Sequence, residues 1–338
     1  MLKLYLVIPC YNENAVIDET TKRLNEKLNG LIRSKAVSPA SRVVYIDDGS
    51  TDGTWEKIES ISATNGLFEG VKLSRNYGHQ NALLAGLHYA ADHADAVISM
   101  DADLQDDIDA IDKMIAEYQK GCEVVYGVRS KRKKDSFFKR FTAQGFYKLL
   151  RFMGVEIVFN HADYRLLSNR AVKELLGFKE VNLFLRGIVP MLGFKSAKVY
   201  YERGERFAGE SKYPLKKMLF FALQGITSLS VKPIRLITIM GLLCFLVSLV
   251  LLIVFIAQYF MGITVSGWAS MITSIWGLGG LQLLGIGIIG EYIGKIYLET
   301  KERPRFIIEK TTSETTEASM CKSVDKSSVD QSEDSQLF

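Results

Sequence analysis

Short apolar runs alternate with amphipathic stretches over the first 130 residues. Runs at 4–8, 43–46, 70–73, 96–100 and 123–126 are rich in Val, Ile, Leu and Tyr and have the length of buried strands. Between them, 15–32, 54–62, 80–91 and 108–119 carry the spacing of amphipathic helices. Strand–helix alternation predicts an α/β fold with a doubly wound, mostly parallel sheet. No Gly-x-Gly-x-x-Gly follows a strand and no Walker A sequence occurs, which disfavours nicotinamide and P-loop enzymes.

The pattern changes in the second half. From Leu236 through Gly290 there are 55 residues without Asp, Glu, Lys or Arg. A membrane-spanning helix takes about 20 apolar residues, so the stretch holds two spans, 236–258 and 268–290, joined by 259–267. Buried core helices are the weaker alternative, because both runs exceed the usual core length. Lys212, Lys216, Lys217, Lys232 and Arg235 precede the first span, and Lys295, Lys301, Arg303 and Arg305 follow the second. Positive-inside bias then puts both termini in the cytoplasm of a multi-pass protein of the plasma membrane. The start of the chain runs directly into a strand-like segment and predicts no signal peptide.

Charge refines the organisation. The 28 residues 311–338 hold two Lys and six acidic residues and read as a disordered acidic tail. The net charge of +4 therefore becomes +8 over 1–310, which suits anionic lipid and phosphorylated substrates. No nucleic-acid motif accompanies it, and no nucleic acid is expected. From Arg129 to Arg151, nine Lys or Arg interleave with Phe, Tyr and Leu around one acid, Asp135. That pattern predicts an interfacial amphipathic helix, with a solvated basic face as the alternative; residues 214–232 repeat the theme. The four cysteines, Cys10, Cys122, Cys244 and Cys321, are widely spaced and indicate neither disulfides nor zinc. The expected divisions are a cytoplasmic catalytic domain (1–213), a juxtamembrane amphipathic segment (214–235), two transmembrane helices with a short external loop (236–290), a cytoplasmic basic segment (291–310) and the tail (311–338).

Candidate chemistry sits at strand ends, where open α/β sheets bind ligands. Asp101-Ala102-Asp103-Leu104-Gln105-Asp106 follows the fourth strand, and Asp47-Asp48-Gly49-Ser50 ends the second. Hard carboxylates two residues apart suit Mg²⁺ or Mn²⁺ completed by substrate phosphates.

These two motifs, with Val7-Ile8-Pro9-Cys10-Tyr11-Asn12-Glu13, resemble family-2 glycosyltransferases of the GT-A fold. His161-Ala162-Asp163-Tyr164-Arg165-Leu166 and Arg206-Phe207-Ala208-Gly209-Glu210-Ser211-Lys212-Tyr213 resemble the polyprenyl-phosphate branch, which includes dolichol-phosphate mannose synthases. The match spans about 3–215, and two C-terminal spans also fit bacterial members. The Gln-x-x-Arg-Trp of processive synthases is missing, since no Arg precedes Trp55, Trp268 or Trp276.

The resemblance implies roles residue by residue. Pro9, Tyr11, Glu13, Asp48, Arg75 and Asp101 would bind the nucleotide sugar. Glu13 takes a ribose hydroxyl or simply favours a helix N-terminus, Arg75 neutralises phosphate or pairs on the surface, and Asp52 reads better as a helix cap. Asp101 and Asp103 would hold the metal, and the resemblance adds Gln105. Asp163 matches the family's catalytic base, the alternative being a partner of Arg165. Apart from the resemblance, two anionic substrates held together need cations. Arg129, Arg132, Arg186 and Arg206, the last heading a matched motif, are the candidates at the acceptor phosphate, with Asp103 and Arg206 joining Asp163 as catalytic residues. The implied activity is inverting transfer of one sugar, glucose from UDP-glucose first, to undecaprenyl or another polyprenyl phosphate at the cytoplasmic face. UDP-N-acetylglucosamine, UDP-galactose and GDP-mannose are alternative donors, and a non-catalytic lipid-sugar scaffold is the alternative class. Expected partners are the nucleotide sugar, the polyprenyl phosphate and an anionic membrane, with a homo-oligomer left open.

Overall fold

The computed structural model describes residues 1–130, 161–180, 185–202, 204 and 267–313, with scattered positions between 234 and 261. Outside the described residues lie Arg132, Arg206, the basic aromatic segment beyond Ser130, residues 214–233, much of the first predicted span and the tail beyond Ser313. Among the described residues, 1–130, 161–202 and 304–313 form one compact unit, and 267–303 belong to a second.

In chain order the first unit runs β1 (Leu4–Cys10), α1 (Ile17–Arg33), β2 (Arg42–Asp47), α2 (Thr54–Thr64), β3 (Phe68–Leu73), α3 (His79–Ala91), β4 (Ala96–Ser99), α4 (Ala110–Gln119), β5 (Val124–Arg129) and β6 (His161–Ser168). It continues with α5 (Asn169–Leu176), α6 (Leu185–Met191) and β7 (Ser196–Tyr201), and ends with β8 (Ile308–Thr311). The strands form one sheet in the order β7-β5-β6-β4-β1-β2-β3-β8.

Burial explains the centre of this sheet. All seven residues of β1 are buried, as expected of a strand paired in parallel with β2 and β4 and covered on both faces. On one face α1 buries Ile17, Thr20, Leu24, Leu28 and Leu31, spaced by three or four, against a core that includes Leu4, Leu6 and Ile8. Each such leucine contributes about 1.5–3 kcal/mol by leaving water. On the other face α3 lies close to the sheet: a Cβ on Gly86 would sit 2.3 Å from Val7 Cγ1 and 2.8 Å from Ile46 Cγ1.

The predicted β1–β5 and α1–α4 are all present, with ends shifted by up to three residues. The sheet is more mixed than expected. β6 inserts antiparallel between β4 and β5, and β8 adds antiparallel to β3.

That last strand changes the predicted division at 310/311. Ile308 through Thr311 is sheet, and Thr311 and Thr312 are only 7% exposed. The reason is an edge needing partners: Gly70 N–H donates to Thr312 Oγ1 at 2.9 Å, and Ser62 Oγ contacts the same oxygen at 2.8 Å. The first unit therefore does not end at the expected boundary of 213; it is completed from beyond the apolar stretch.

In the second unit, α7 spans Trp268–Thr300, ten residues past the end expected at 290. Glu291, Lys295 and Glu299 follow one another at four-residue spacing, so the charges stay on one helical side and prolong it. Within α7, Gly277–Thr300 is long and apolar enough to cross a membrane, with a mean hydropathy of 1.3. It is the one such helix among the described residues; of the first predicted span, the described positions are helical.

Candidate active site

The site is built by strand register. β4 and β6 pair antiparallel with Ser99 opposite Arg165 and Ile98 opposite Leu166. Extending that register two residues past β4 sets Asp101 opposite Asp163. Ser99 Oγ donates to the Asp163 carbonyl at 2.6 Å and fixes the junction.

Asp163 is 7% exposed. Its Oδ1 takes Arg165 Nη2 at 2.6 Å, and its Oδ2 takes Arg186 Nη2 at 3.0 Å. Burial alone would raise this carboxyl, but the Arg186 and Arg165 guanidinium groups outweigh it and hold it well below the ordinary carboxylate range. The pairing with Arg165 anticipated from sequence is thus present. A carboxylate held ionised in this way is a weak proton acceptor and a strong organiser of two cations.

Asp101 behaves in the opposite sense. Desolvation, with the nearby carboxylates of Asp106, Asp163 and Asp103, pushes it up to about 6, against the opposing effect of His79. The loop that carries it turns sharply at Leu104, whose φ is +58°, a left-handed conformation that a bulky side chain seldom adopts. Asp103 Oδ1 accepts the Gln105 amide at 3.1 Å, Thr20 Oγ1 reaches the Ala102 carbonyl at 2.9 Å, and the Gln105 carbonyl accepts Gly204 N–H at 2.9 Å.

Asp106, read from sequence only as part of a motif, is a buried anchor. Its Oδ1 accepts Tyr201 Oη at 2.5 Å and lies 3.5 Å from Arg129 Nη2, while its Oδ2 is buried without a hydrogen-bond partner among the described residues. Arg129, expected at the acceptor phosphate, is therefore engaged with Asp106 and Tyr201.

Fit to a divalent cation can be judged from these groups. Asp101, Asp103 and Gln105 offer hard oxygens in a crowd of negative charge that a cation relieves. Among the described residues no group of three or more His, Cys, Asp or Glu is placed so that it could hold a metal ion by itself. Asp101, Asp103 and Gln105 would supply only part of a cation's shell, and substrate phosphates would have to supply the rest.

The second strand end is stitched to the first. Asn12 N–H donates to Ser50 Oγ, Thr51 N–H to Asn12 Oδ1 and Glu13 N–H to Thr54 Oγ1, each at 2.9–3.0 Å. Asp52 accepts the Thr54 and Asn14 amides at 3.1 Å and ties the two loops together, whereas the cap position expected of it is taken by Gly53, without a side-chain bond. Pro9 is buried in β1, Glu13 is half-buried and Tyr11 is 47% exposed. Asp48 accepts Tyr77 N–H at 2.7 Å and Gly78 N–H at 2.9 Å, with burial raising its carboxyl against those bonds. Its two oxygens thus hold the 74–78 loop, in which exposed Arg75 stacks 4.5 Å over the Tyr77 ring.

One side chain that sequence reasoning missed reaches both halves of the site. His79 Nε2 lies 3.6 Å from Asp101 Oδ1 and 3.8 Å from Asp163 Oδ2. A lone histidine shows no periodicity, but its place just after the third strand-end loop is a usable signal.

Known proteins resemble this chain over most of its length. The uncharacterized glycosyltransferase YkoT of Bacillus subtilis (strain 168) is 55% identical over 306 residues, covering 90% of this chain and 91% of its own. The bactoprenol glucosyl transferase of Shigella phage SfX is 40% identical over 313 residues, covering 91% and 99%. Glucosyl-3-phosphoglycerate synthase from Mycobacterium tuberculosis, solved with Mn²⁺ and UDP, aligns over 68% of this chain and 78% of its own at 18% identity and a TM-score of 0.43. Residues 5–176 match glycosyl transferase family 2, to which this chain belongs.

Proposed function

We propose that the protein transfers one hexose, glucose from UDP-glucose, to a polyprenyl phosphate such as undecaprenyl phosphate at the cytoplasmic face of the plasma membrane. The observation that carries this reading is the β4–β6 register, which puts the metal-type carboxylate Asp101 across from the Arg-clamped Asp163. The similarity to a bactoprenol glucosyl transferase supports the choice of sugar and lipid.

The acceptor phosphate is already ionised near neutral pH, so its oxygen attacks the anomeric carbon without a strong base. The new C–O bond forms as the bond to the nucleotide diphosphate breaks, with inversion. Asp163 then acts as the group that aims Arg186 and Arg165 rather than as a proton acceptor. Asp101, Asp103 and Gln105 would hold Mg²⁺ or Mn²⁺, which supplies offset for the charge developing on the departing diphosphate. Pro9, Tyr11, Glu13 and Arg75 line the nucleotide side, and Asp48 shapes its loop. Arg186, with Arg132 and Arg206, serves the acceptor phosphate, while Arg129 is held by Asp106 and Tyr201. Two spans, one within 236–258 and one within Trp268–Thr300, would anchor the protein in the membrane to which that lipid belongs.

The test is purified full-length protein in lipid nanodiscs with C55 polyprenyl phosphate and a panel of UDP-glucose, UDP-N-acetylglucosamine, UDP-galactose and GDP-mannose. UDP-glucose is expected to give the lipid-linked sugar fastest. A faster alternative corrects the donor, and no product from any donor overturns the reading.

A further inference from the structure

His79 sits where the two substrates of the proposed reaction would meet. Its Nε2 is 3.6 Å from Asp101 on the donor side and 3.8 Å from Asp163 on the acceptor side. Both separations exceed hydrogen-bond length, so the ring is close to both carboxylates and bonded to neither. Its side chain is 43% exposed, which leaves the edge open to an incoming ligand.

The ring's position is fixed by its neighbours. Asp48 holds the amides of Tyr77 and Gly78, immediately before it. Gln80, immediately after it, accepts Leu185 N–H at 3.1 Å through Oε1, and Leu185 opens the helix that carries Arg186. The histidine is thus mounted between the donor-side loop and the cation that faces Asp163. An anionic acceptor approaching this point meets two carboxylates, and an N–H donor on their shared side offsets that repulsion.

Resting on the transfer reading above, we infer that His79 Nε2–H hydrogen-bonds a phosphate oxygen of the acceptor, making His79 a further catalytic residue specific to the acceptor step. The bond is a charge-assisted one of the strength that changes binding or rate by about 10- to 100-fold.

The experiment compares wild type, His79→Ala and His79→Gln as full-length protein in nanodiscs. Three quantities are read: kcat/KM for C55 polyprenyl phosphate, Kd for UDP-glucose with Mn²⁺, and Kd for farnesyl phosphate against farnesol as a control without phosphate. His79→Ala is expected to lower kcat/KM and weaken farnesyl phosphate by about 10- to 100-fold, with UDP-glucose and farnesol affinities within about threefold of wild type. His79→Gln, whose amide N–H reaches a similar position, should recover most of the loss. Unchanged farnesyl phosphate affinity overturns the inference, as does an equal loss of UDP-glucose affinity, which would make His79 a donor-side residue. If wild type turns over no donor, the function proposed above fails, while the farnesyl phosphate series still decides the role of His79.

Discussion

Arg186 grips Asp163, with Nη2 3.0 Å from Oδ2, although 23 positions separate them. Together with Arg165, which is 1% exposed, this makes Asp163 the counter-ion of two guanidinium groups. Asp163→Asn strands the buried Arg165 and should destabilise the domain by about 3–5 kcal/mol. The sign of the pH effect follows from the lowered native pKa. The stabilisation is complete above the unfolded carboxylate value of about 4 and fades as pH falls toward the native one. Wild type should therefore unfold at lower denaturant concentrations below about pH 4, and Asp163→Asn should lack that component. Equal stability in the two proteins at neutral pH would refute the clamp.

Metal dependence is expected from Asp101 and Asp103. Chelation by EDTA should abolish transfer, and Mg²⁺ or Mn²⁺ should restore it. Asp103→Asn should lower kcat by about 10²-fold, as losing a charge-stabilising group at the reacting centre does. Full activity in EDTA would remove the metal from the reaction.

Gly49 makes the meeting of two strand-end loops possible. Its φ is +69°, and a Cβ there would stand 2.6 Å from the Arg75 carbonyl carbon and 2.7 Å from the Asn76 nitrogen. Gly49→Ala combines a left-handed backbone with a clash against main chain, at a cost of about 1–3 kcal/mol or more. The melting temperature should fall, and UDP binding by calorimetry should weaken as the 74–78 loop is displaced. A melting temperature matching wild type would mean the loops part freely.

Thr312 tests the returning strand. Thr312→Val keeps the shape but leaves the Gly70 amide without its acceptor, costing about 1–3 kcal/mol. Hydrogen exchange at Gly70 should quicken. No change in that amide would show that the strand does not hold β3.

Membrane topology has its own check. A cysteine at Gly262 should react with an impermeant maleimide from outside, and one at Ile307, 53% exposed, only after permeabilisation. Ile307 serves here because Thr311 is buried in the sheet. External labelling at Ile307 would mean a single span.

The legible parts of this fold were those whose burial leaves an uninterrupted apolar run. β1 and β2 are buried along nearly their whole length, so Val, Ile and Tyr announce them. β6 stayed hidden because Asp163 and Arg165 sit in its middle, and a buried ion pair looks polar in sequence. β8 reads Ile-Glu-Lys-Thr, too short and charged to stand out: Lys310 pairs with Glu59 at 2.6 Å and lies 5.0 Å from the Trp55 ring. Strand-end logic placed Asp48, Asp101 and Asp103 just past the ends of β2 and β4, where the structure has them. It could not show that Asp48 is spent on backbone amides, that Arg129 turns toward Asp106, or that His79 lies between two carboxylates. Those depend on which strands are neighbours, and β6 was the neighbour not seen.

Thr312 bonds to Ser62 across 250 positions of sequence, and that separation sets a timetable for synthesis. β3 is complete once Leu73 has been made, yet its partner strand follows only after the whole apolar stretch. At about 5–20 residues per second, the ribosome takes roughly 10–50 s to cover that distance. Through this interval β3 presents an open edge, the feature by which unfinished sheets pair with the wrong chain. Nascent chains stalled before Ile308 should accordingly be the aggregation-prone ones, and synthesis of the whole apolar stretch becomes a condition for closing the sheet.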